Sequence, residues 1–200
     1  MRVIAGELKG RRILSPRGRD VRPTYDRVRE SLFGILEPDI PGSLVLDLFA
    51  GSGSLGIEAL SRGATEVVFV ERSTAVLRVL EENITALGLE DRSFVLKGDA
   101  LRLARDRRIP RAPFDLVFVD PPYSSGDAGR SLVLLPPLLA PGALVVVEQA
   151  ATPRRSRRDA VGPGPTDEPA GLIETRRRRY GTTELVFYRP TDGSEDREAS

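Results

Sequence analysis

From Val45 onward, short runs of β-branched and aromatic residues alternate with stretches whose apolar positions recur at helical spacing. That alternation predicts a mostly parallel sheet covered by helices on both faces. Strands are expected over 44–49, 66–70, 93–97, 115–119 and 143–148. A helix is expected over about 54–61, ending at Gly63. Another should run from the N-cap Ser73 to Gly88, burying Val76, Leu77, Leu80, Ile84 and Leu87. A third precedes Pro136-Pro137. Residues 173–180 and 182–188 flank Gly181 and read as a hairpin, so the sheet should end on an antiparallel edge. Residues 131–147 carry no charge, but Pro136, Pro137, Pro141 and Gly142 break the run, which is too short to span a bilayer. It reads as helix end, turn and buried strand.

The first 43 residues form a separate element. Arg2 to Leu14 shows hairpin-like alternation around Gly6 and Gly10. Thr24 is expected to cap a helix running to about Leu36, with Val28, Leu32, Phe33, Ile35 and Leu36 as its apolar residues. Residues 1–43 are therefore read as an extension of one domain spanning 44–190. Residues 152–171, rich in Pro, Gly and Arg, predict a long flexible loop. The polar, acidic stretch 191–200 predicts a disordered tail.

A chain of 200 residues can bury a substantial core as one domain. Its net charge of +1 hides a local imbalance, because Met1 to Glu30 holds nine basic and four acidic side chains. Lys9 and Lys97 are the lysines, and every other basic residue is arginine. Arginine suits bidentate phosphate contacts and stacking on bases, although a codon bias produces the same composition. Cysteine and histidine are both missing, which excludes thiolate and imidazole metal sites, Cys and His nucleophiles and His general bases. No carboxylate cluster suggests a metal. The N-terminus turns polar too quickly for a signal peptide, so a soluble cytoplasmic protein is expected.

Asp47-Leu48-Phe49-Ala50-Gly51-Ser52-Gly53-Ser54-Leu55-Gly56 joins the first strand to its helix. Such a loop lets backbone approach a ligand beneath the positive end of a helix. The glycines at 51, 53 and 56 fit the dinucleotide fingerprint, and Glu71 stands where a ribose-binding acid belongs. Alone, the loop is ambiguous between NAD, FAD and S-adenosyl-L-methionine. Asp47 favours the last, because its carboxylate suits an ammonium and a sulfonium and would repel a pyrophosphate. Asp99 supplies a further acid where an adenine amino group can be held. Asp47, Glu71 and Asp99 thus follow three successive strands along one sheet edge. Phe49, Ala50 and Ser52 in the loop, Arg72 beside Glu71, Ala100 beside Asp99, and Asp120 complete the expected cofactor site.

Asp120-Pro121-Pro122-Tyr123 ends the strand over 115–119. Consecutive prolines cannot continue a strand, so the corner is stiff. In an arbitrary protein it would be a terminating turn; here it falls at the edge that carries the glycine loop. An exocyclic base amine is a poor nucleophile because its lone pair is delocalised into the ring. The Asp120 carboxylate and the Pro121 carbonyl can accept its two hydrogens and favour a pyramidal nitrogen. Tyr123 can stack on the base and fix its plane. No thiolate adduct is needed, and the lack of cysteine argues against methylation at pyrimidine carbon five.

With these residues in place, the chain resembles the RsmD-type family of bacterial 16S ribosomal RNA guanine-N2 methyltransferases. The resemblance runs from Arg2 to about Arg189. It rests on Ile4-Ala5-Gly6 with Lys9-Gly10-Arg11, Arg22-Pro23-Thr24 with Asp26-Arg27-Val28-Arg29-Glu30, Asp47 to Gly53, and Asp120 to Tyr123. It implies a Rossmann-like class I sheet of seven strands, mostly parallel with one antiparallel. It also implies that Gly51 and Gly53 line the methionine end of the cofactor, Glu71 holds the ribose hydroxyls and Asp99 lies near the adenine. RNA contacts would come from Lys9, Arg11 and Arg12 in the hairpin, from Arg22, Thr24, Arg27 and Arg29, and from Tyr123. The implied partner is 16S rRNA in the small subunit or its assembly intermediate, met by a monomer away from any membrane. The runs Arg154 to Arg158 and Arg176 to Arg179 match no family motif and read as RNA-binding surface or solvated charge.

Other readings remain open at this point. An adenine-N6 methyltransferase acting on DNA or RNA would use the same corner. A nicotinamide oxidoreductase fits the glycines but not Asp47 or the Asp-Pro-Pro-Tyr corner. A catalytically silent RNA-binding factor would have little use for an intact Asp120.

Overall fold

The computed structural model describes residues 1–15, 23–122, 126–151, 169 and 171–191, with backbone alone for 23–26. The expected loop over 152–171 and the tail over 191–200 lie almost wholly outside the described residues, as do Arg22, Tyr123 and Arg154 to Arg158.

In chain order the elements are α1 (Pro23–Leu36), β1 (Leu44–Asp47), α2 (Ser54–Ser61), β2 (Glu66–Glu71) and α3 (Thr74–Leu87). Then follow β3 (Ser93–Lys97), α4 (Ala100–Arg105), β4 (Phe114–Val119), α5 (Asp127–Leu134), β5 (Leu139–Ala150), β6 (Leu172–Tyr180) and β7 (Thr183–Pro190). The seven strands form one sheet in the order β3-β2-β1-β4-β5-β7-β6. Strands β1 to β5 pair in parallel, and β7 runs antiparallel to both β5 and β6. The order reverses at β1 and β4, where open sheets of this kind bind ligands beyond the strand ends.

Alternation along the strands divides the core in two. Val45, Phe69, Leu116, Phe118 and Val146 face α1, α2 and α3, whereas Leu46, Val68, Val117, Val145 and Val147 face the opposite side with α4 and α5. Each fully buried aliphatic or aromatic side chain contributes roughly 1.5–3 kcal/mol. Val3 and Ile13 of the N-terminal hairpin and Val28, Leu32 and Phe33 of α1 belong to the first cluster.

The hairpin is narrow: Arg2 bridges Arg12, while Val3 N donates to Arg11 O and Ile13 N to Met1 O. What fixes it to the sheet is Glu58, wholly buried on α2. Its carboxylate accepts from Ile4 N at 2.8 Å, Ala5 N at 3.0 Å and Arg62 Nε at 2.8 Å. At Gly6 (φ +82°) a Cβ would sit 1.7 Å from Ser61 O, so only glycine permits the hairpin to close on α2.

Four expectations differ from the structure. Strand β1 stops at Asp47 rather than Phe49, because the backbone there turns so that Ala50 N can reach Val70 O. Helix α1 opens with Pro23 in its first turn, so Thr24 lies inside the helix and is not its cap. Strand β5 begins at Leu139, and Pro141-Gly142, expected as a turn, falls in an irregularity of its pairing with β4. Helix α4 was not expected, since its six residues are too few for a periodic apolar face. The predicted α3 agrees: Ser73 Oγ accepts from Val76 N, and Gly88 takes φ +67° at the C-terminus.

Candidate active site

The C-terminal ends of β1, β2, β3, β4 and β5 surround a cavity of about 760 Å³. Of the residues singled out by the sequence, Phe49, Gly51, Glu71, Arg72, Asp99, Ala100, Asp120 and Pro122 line it. Ser73, Val76, Leu101, Asp127, Arg130 and Glu148 line it too and were not anticipated. A second cavity of about 280 Å³ lies behind the Pro121-Pro122 corner and shares Pro122, Asp127 and Glu148 with the first.

Glu71, the last residue of β2, organises the entrance. Its Oε2 accepts from Gly51 N at 3.0 Å and its Oε1 from Ser73 N at 2.7 Å, so one carboxylate ties the glycine loop to the start of α3. Each of these carboxylate oxygens has a further lone pair for a ligand hydroxyl. Asp99 caps α4 by accepting from Arg102 N at 2.9 Å, and it stays exposed at the cavity wall.

The glycines divide their work unexpectedly. Of the three loop glycines, Gly51 lines the cavity and Gly53 and Gly56 do not. Gly53 has φ +82°, and a Cβ there would lie 2.4 Å from Leu80 Cδ1 of α3. At Gly56 a Cβ would lie 2.2 Å from the Phe69 ring. Close packing of the helices thus requires glycine at both positions, and neither lines the cavity. Ala50 and Ser52 are also buried behind the cavity wall. The loop amide of Gly51 already meets a carboxylate, which counts against a dinucleotide pyrophosphate there.

Asp47 is the other surprise. It is 1% exposed, and the cavity lining does not include it. Its Oδ2 accepts from Gly56 N at 3.1 Å, anchoring the first turn of α2. Burial pushes its carboxyl up to about 7; the Gly56 hydrogen bond opposes that rise, and the charge of Glu71 adds to it. Asn83, 1% exposed on α3, closes the back of the loop. Its Nδ2 donates to Ser52 O at 2.9 Å and to Leu14 O at 3.0 Å, while its Oδ1 accepts from Leu14 N at 2.7 Å.

The basic positions separate into two groups. Lys9, Arg11, Arg12 and Arg27 are exposed. Arg11 Nη2 also donates to Ala86 O at 2.7 Å. Arg29, expected at RNA phosphate, is 2% exposed and donates to Arg2 O and to Met1 Sδ, so it holds the hairpin against α1. On β6, Arg177 is taken by Glu174 and Glu184, while Arg176, Arg178 and Arg179 stay exposed.

A seven-stranded mixed sheet in this order, with an acid-lined cavity at its switch point beside an Asp-Pro-Pro corner, defines a Rossmann-like class I methyltransferase. Residues 1–189 match the family described as Conserved hypothetical protein 95, the RsmD family, and the chain belongs to it. Among relatives, the Ribosomal RNA small subunit methyltransferase D of Escherichia coli (strain K12) is 39% identical over 150 residues, covering 74% of each chain. YlbH of Bacillus subtilis (strain 168) is 35% identical over 191 residues, covering 94% of this chain and 98% of its own. The solved structure of yhhF from Escherichia coli superposes with a TM-score of 0.75 at 33% identity, covering 95% of this chain and 97% of that one.

Proposed function

We propose that this enzyme transfers a methyl group from S-adenosyl-L-methionine to the exocyclic N2 amine of a guanine in 16S ribosomal RNA. One observation carries the reading: the Asp120-Pro122 corner and the Gly51, Glu71 and Asp99 set share a single cavity. The donor set suits that cofactor. Glu71 offers lone pairs to ribose hydroxyls, Asp99 stands within the same wall for the adenine amine, and acids predominate where a cationic ligand must sit. When bound, S-adenosylmethionine supplies an electrophilic methyl on a positively charged sulfur.

The chain's own residues then prepare the acceptor. The Asp120 carboxylate and the Pro121 carbonyl take the two amine hydrogens, which localises the nitrogen lone pair. After transfer, Asp120 accepts the proton that the amine loses. Holding the reactants in attack geometry supplies roughly 7–11 kcal/mol of barrier lowering in favourable cases. A base taken from a helix must first be flipped out, at about a few kcal/mol, and less where it is already unpaired.

The name of the Escherichia coli relative supports the ribosomal target. The exposure of Lys9, Arg12 and Arg27 supports their reading as phosphate contacts. Among the described residues no helix is long and apolar enough to cross a membrane. A ribosomal RNA substrate goes with a cytoplasmic enzyme, and we propose that it acts as a monomer. Labelled S-adenosylmethionine offered with small subunits, free ribosomal RNA and DNA, followed by nucleoside analysis, tests the function. Label in N2-methylguanosine is expected, and label on adenine, or on no RNA, would sink the reading.

The RNA face has its own test. Replacing Lys9 and Arg12 with alanine should weaken RNA binding and reduce the salt slope by about 1–2, as loss of two phosphate contacts requires. Arg29→Ala should instead lower the melting temperature and leave that slope unchanged. A slope unaffected by Lys9 and Arg12 would remove the hairpin from the interface.

A further inference from the structure

Four consecutive arginines, Arg176 to Arg179, lie on β6, the outermost strand beside β7. Strand alternation sends them to opposite faces of the sheet. Register with β7 sets Arg177 beside Val186, which belongs to the core cluster on the α4 and α5 side. On that face Arg177 Nε donates to Glu174 Oε1 at 2.9 Å and Nη1 to Glu184 Oε2 at 2.9 Å. Arg179 Nε donates to Gly181 O at 3.2 Å. These two guanidinium groups are engaged by the hairpin that carries them.

Arg176 and Arg178 are placed differently. Their partners on β7 are Phe187 and Leu185, which belong to the cluster on the α1 side. Both are exposed, and among the described residues neither guanidinium forms a hydrogen bond or ion pair. Alternate residues of a strand stand roughly 6.5 Å apart, a spacing comparable with that of successive phosphates on one nucleic-acid strand. The same face leads towards the basic N-terminal element. Tyr180, two residues beyond Arg178, packs against the α1-side cluster, and its hydroxyl meets that of Ser31 on α1. Exposed Arg27 precedes Ser31 by four residues and shares its helix face. Helix α1 also holds the hairpin, through Arg29 and Arg2 O, and its exposed acid Glu30 shares a surface pocket with Arg2 and Arg12.

We propose that Arg176 and Arg178 bind RNA phosphates, extending the contact of the hairpin past α1 to the edge of the sheet. The assignment rests on the ribosomal RNA reading above. Phosphate contacts fix orientation and carry no sequence information, so this strip positions the substrate without choosing the base. Charged side chains also keep a free edge strand from pairing with other chains. That role asks only for charge, and it leaves unexplained why carboxylates match the arginines of one face and not those of the other.

The test measures binding of 16S rRNA by the full chain as a function of salt. Arg176→Gln combined with Arg178→Gln should make the slope of log Kobs against log salt shallower by about 1.4–1.8, the loss expected for two phosphate contacts, with the melting temperature unchanged. Arg176→Lys combined with Arg178→Lys keeps both charges and should restore the slope. Arg177→Gln should lower the melting temperature and leave the slope at its wild-type value. A wild-type slope in the glutamine pair overturns the proposal, and so does an equal loss of slope in Arg177→Gln. Loss of binding to phosphatidylserine vesicles by the glutamine pair, with RNA binding intact, would assign the strip to a lipid surface instead. Failure of the ribosomal reading shows separately, as wild-type enzyme that transfers no labelled methyl to RNA.

Discussion

Asp120→Ala is expected to reduce methyl transfer by roughly 10²–10⁴-fold in kcat, the usual contribution of a positioned proton acceptor. Cofactor affinity should change little by comparison, since Gly51, Glu71 and Asp99 line the cavity independently of the corner. Asp120→Asn is the sharper variant. Its amide keeps one acceptor oxygen but cannot take the proton that the amine releases, so transfer should remain slow although the base still binds. Single-turnover rates beside cofactor titrations separate the two effects. Wild-type-like transfer by Asp120→Ala would contradict the mechanism.

The second large effect concerns stability. The Asp47 carboxyl is raised from 3.8 to about 7 in the folded protein, chiefly by burial. Between those values the unfolded chain has lost a proton that the folded one retains. The contribution of Asp47 to stability therefore falls as pH climbs through the window, then levels off above about 7. At 1.36 kcal/mol per pKa unit the swing amounts to roughly 4 kcal/mol at most. Asp47→Asn has no proton to lose and can still accept from Gly56 N. Urea unfolding at pH 4.5 and pH 8 should thus show the variant gaining on wild type by a few kcal/mol at the higher pH. A pH-independent difference between the two proteins would count against a protonated buried carboxyl. Retaining an acid here makes sense if a bound cation draws it into its charged form, so cofactor affinity should rise with pH in wild type and respond less in the variant.

Most of the architecture was legible because its signals are local and repeated. Alternating runs marked the strands, and Ser73 and Gly88 bracketed α3 through capping chemistry. The antiparallel edge followed from two runs around Gly181. Where the reading slipped, the cause was contact rather than propensity. Arg29 looks like any surface arginine until Arg2 O is placed beside it. Gly53 belongs to a ligand motif by spacing, and Leu80 of a different helix adds a packing reason for glycine that the sequence does not show. The same holds for the acids: Asp47, Glu71 and Asp99 share an edge as expected, but only burial reveals that Asp47 stands behind the wall. Glu148 carried a faint signal, a lone acid closing an apolar run, and only the fold places it in the cavity wall.

One side chain gives the N-terminal arm and the glycine loop a common fate. Asn83 bonds both polar backbone atoms of Leu14 with one amide while also holding Ser52 O. Order at one end of this clasp lowers the entropic cost of order at the other. If RNA meets the hairpin and the cofactor meets the loop, as proposed, thermodynamic reciprocity sets a strict condition: the factor by which RNA tightens cofactor binding equals the factor by which the cofactor tightens RNA binding. Under the proposed function, the two substrates would meet the two ends of a single side-chain clasp.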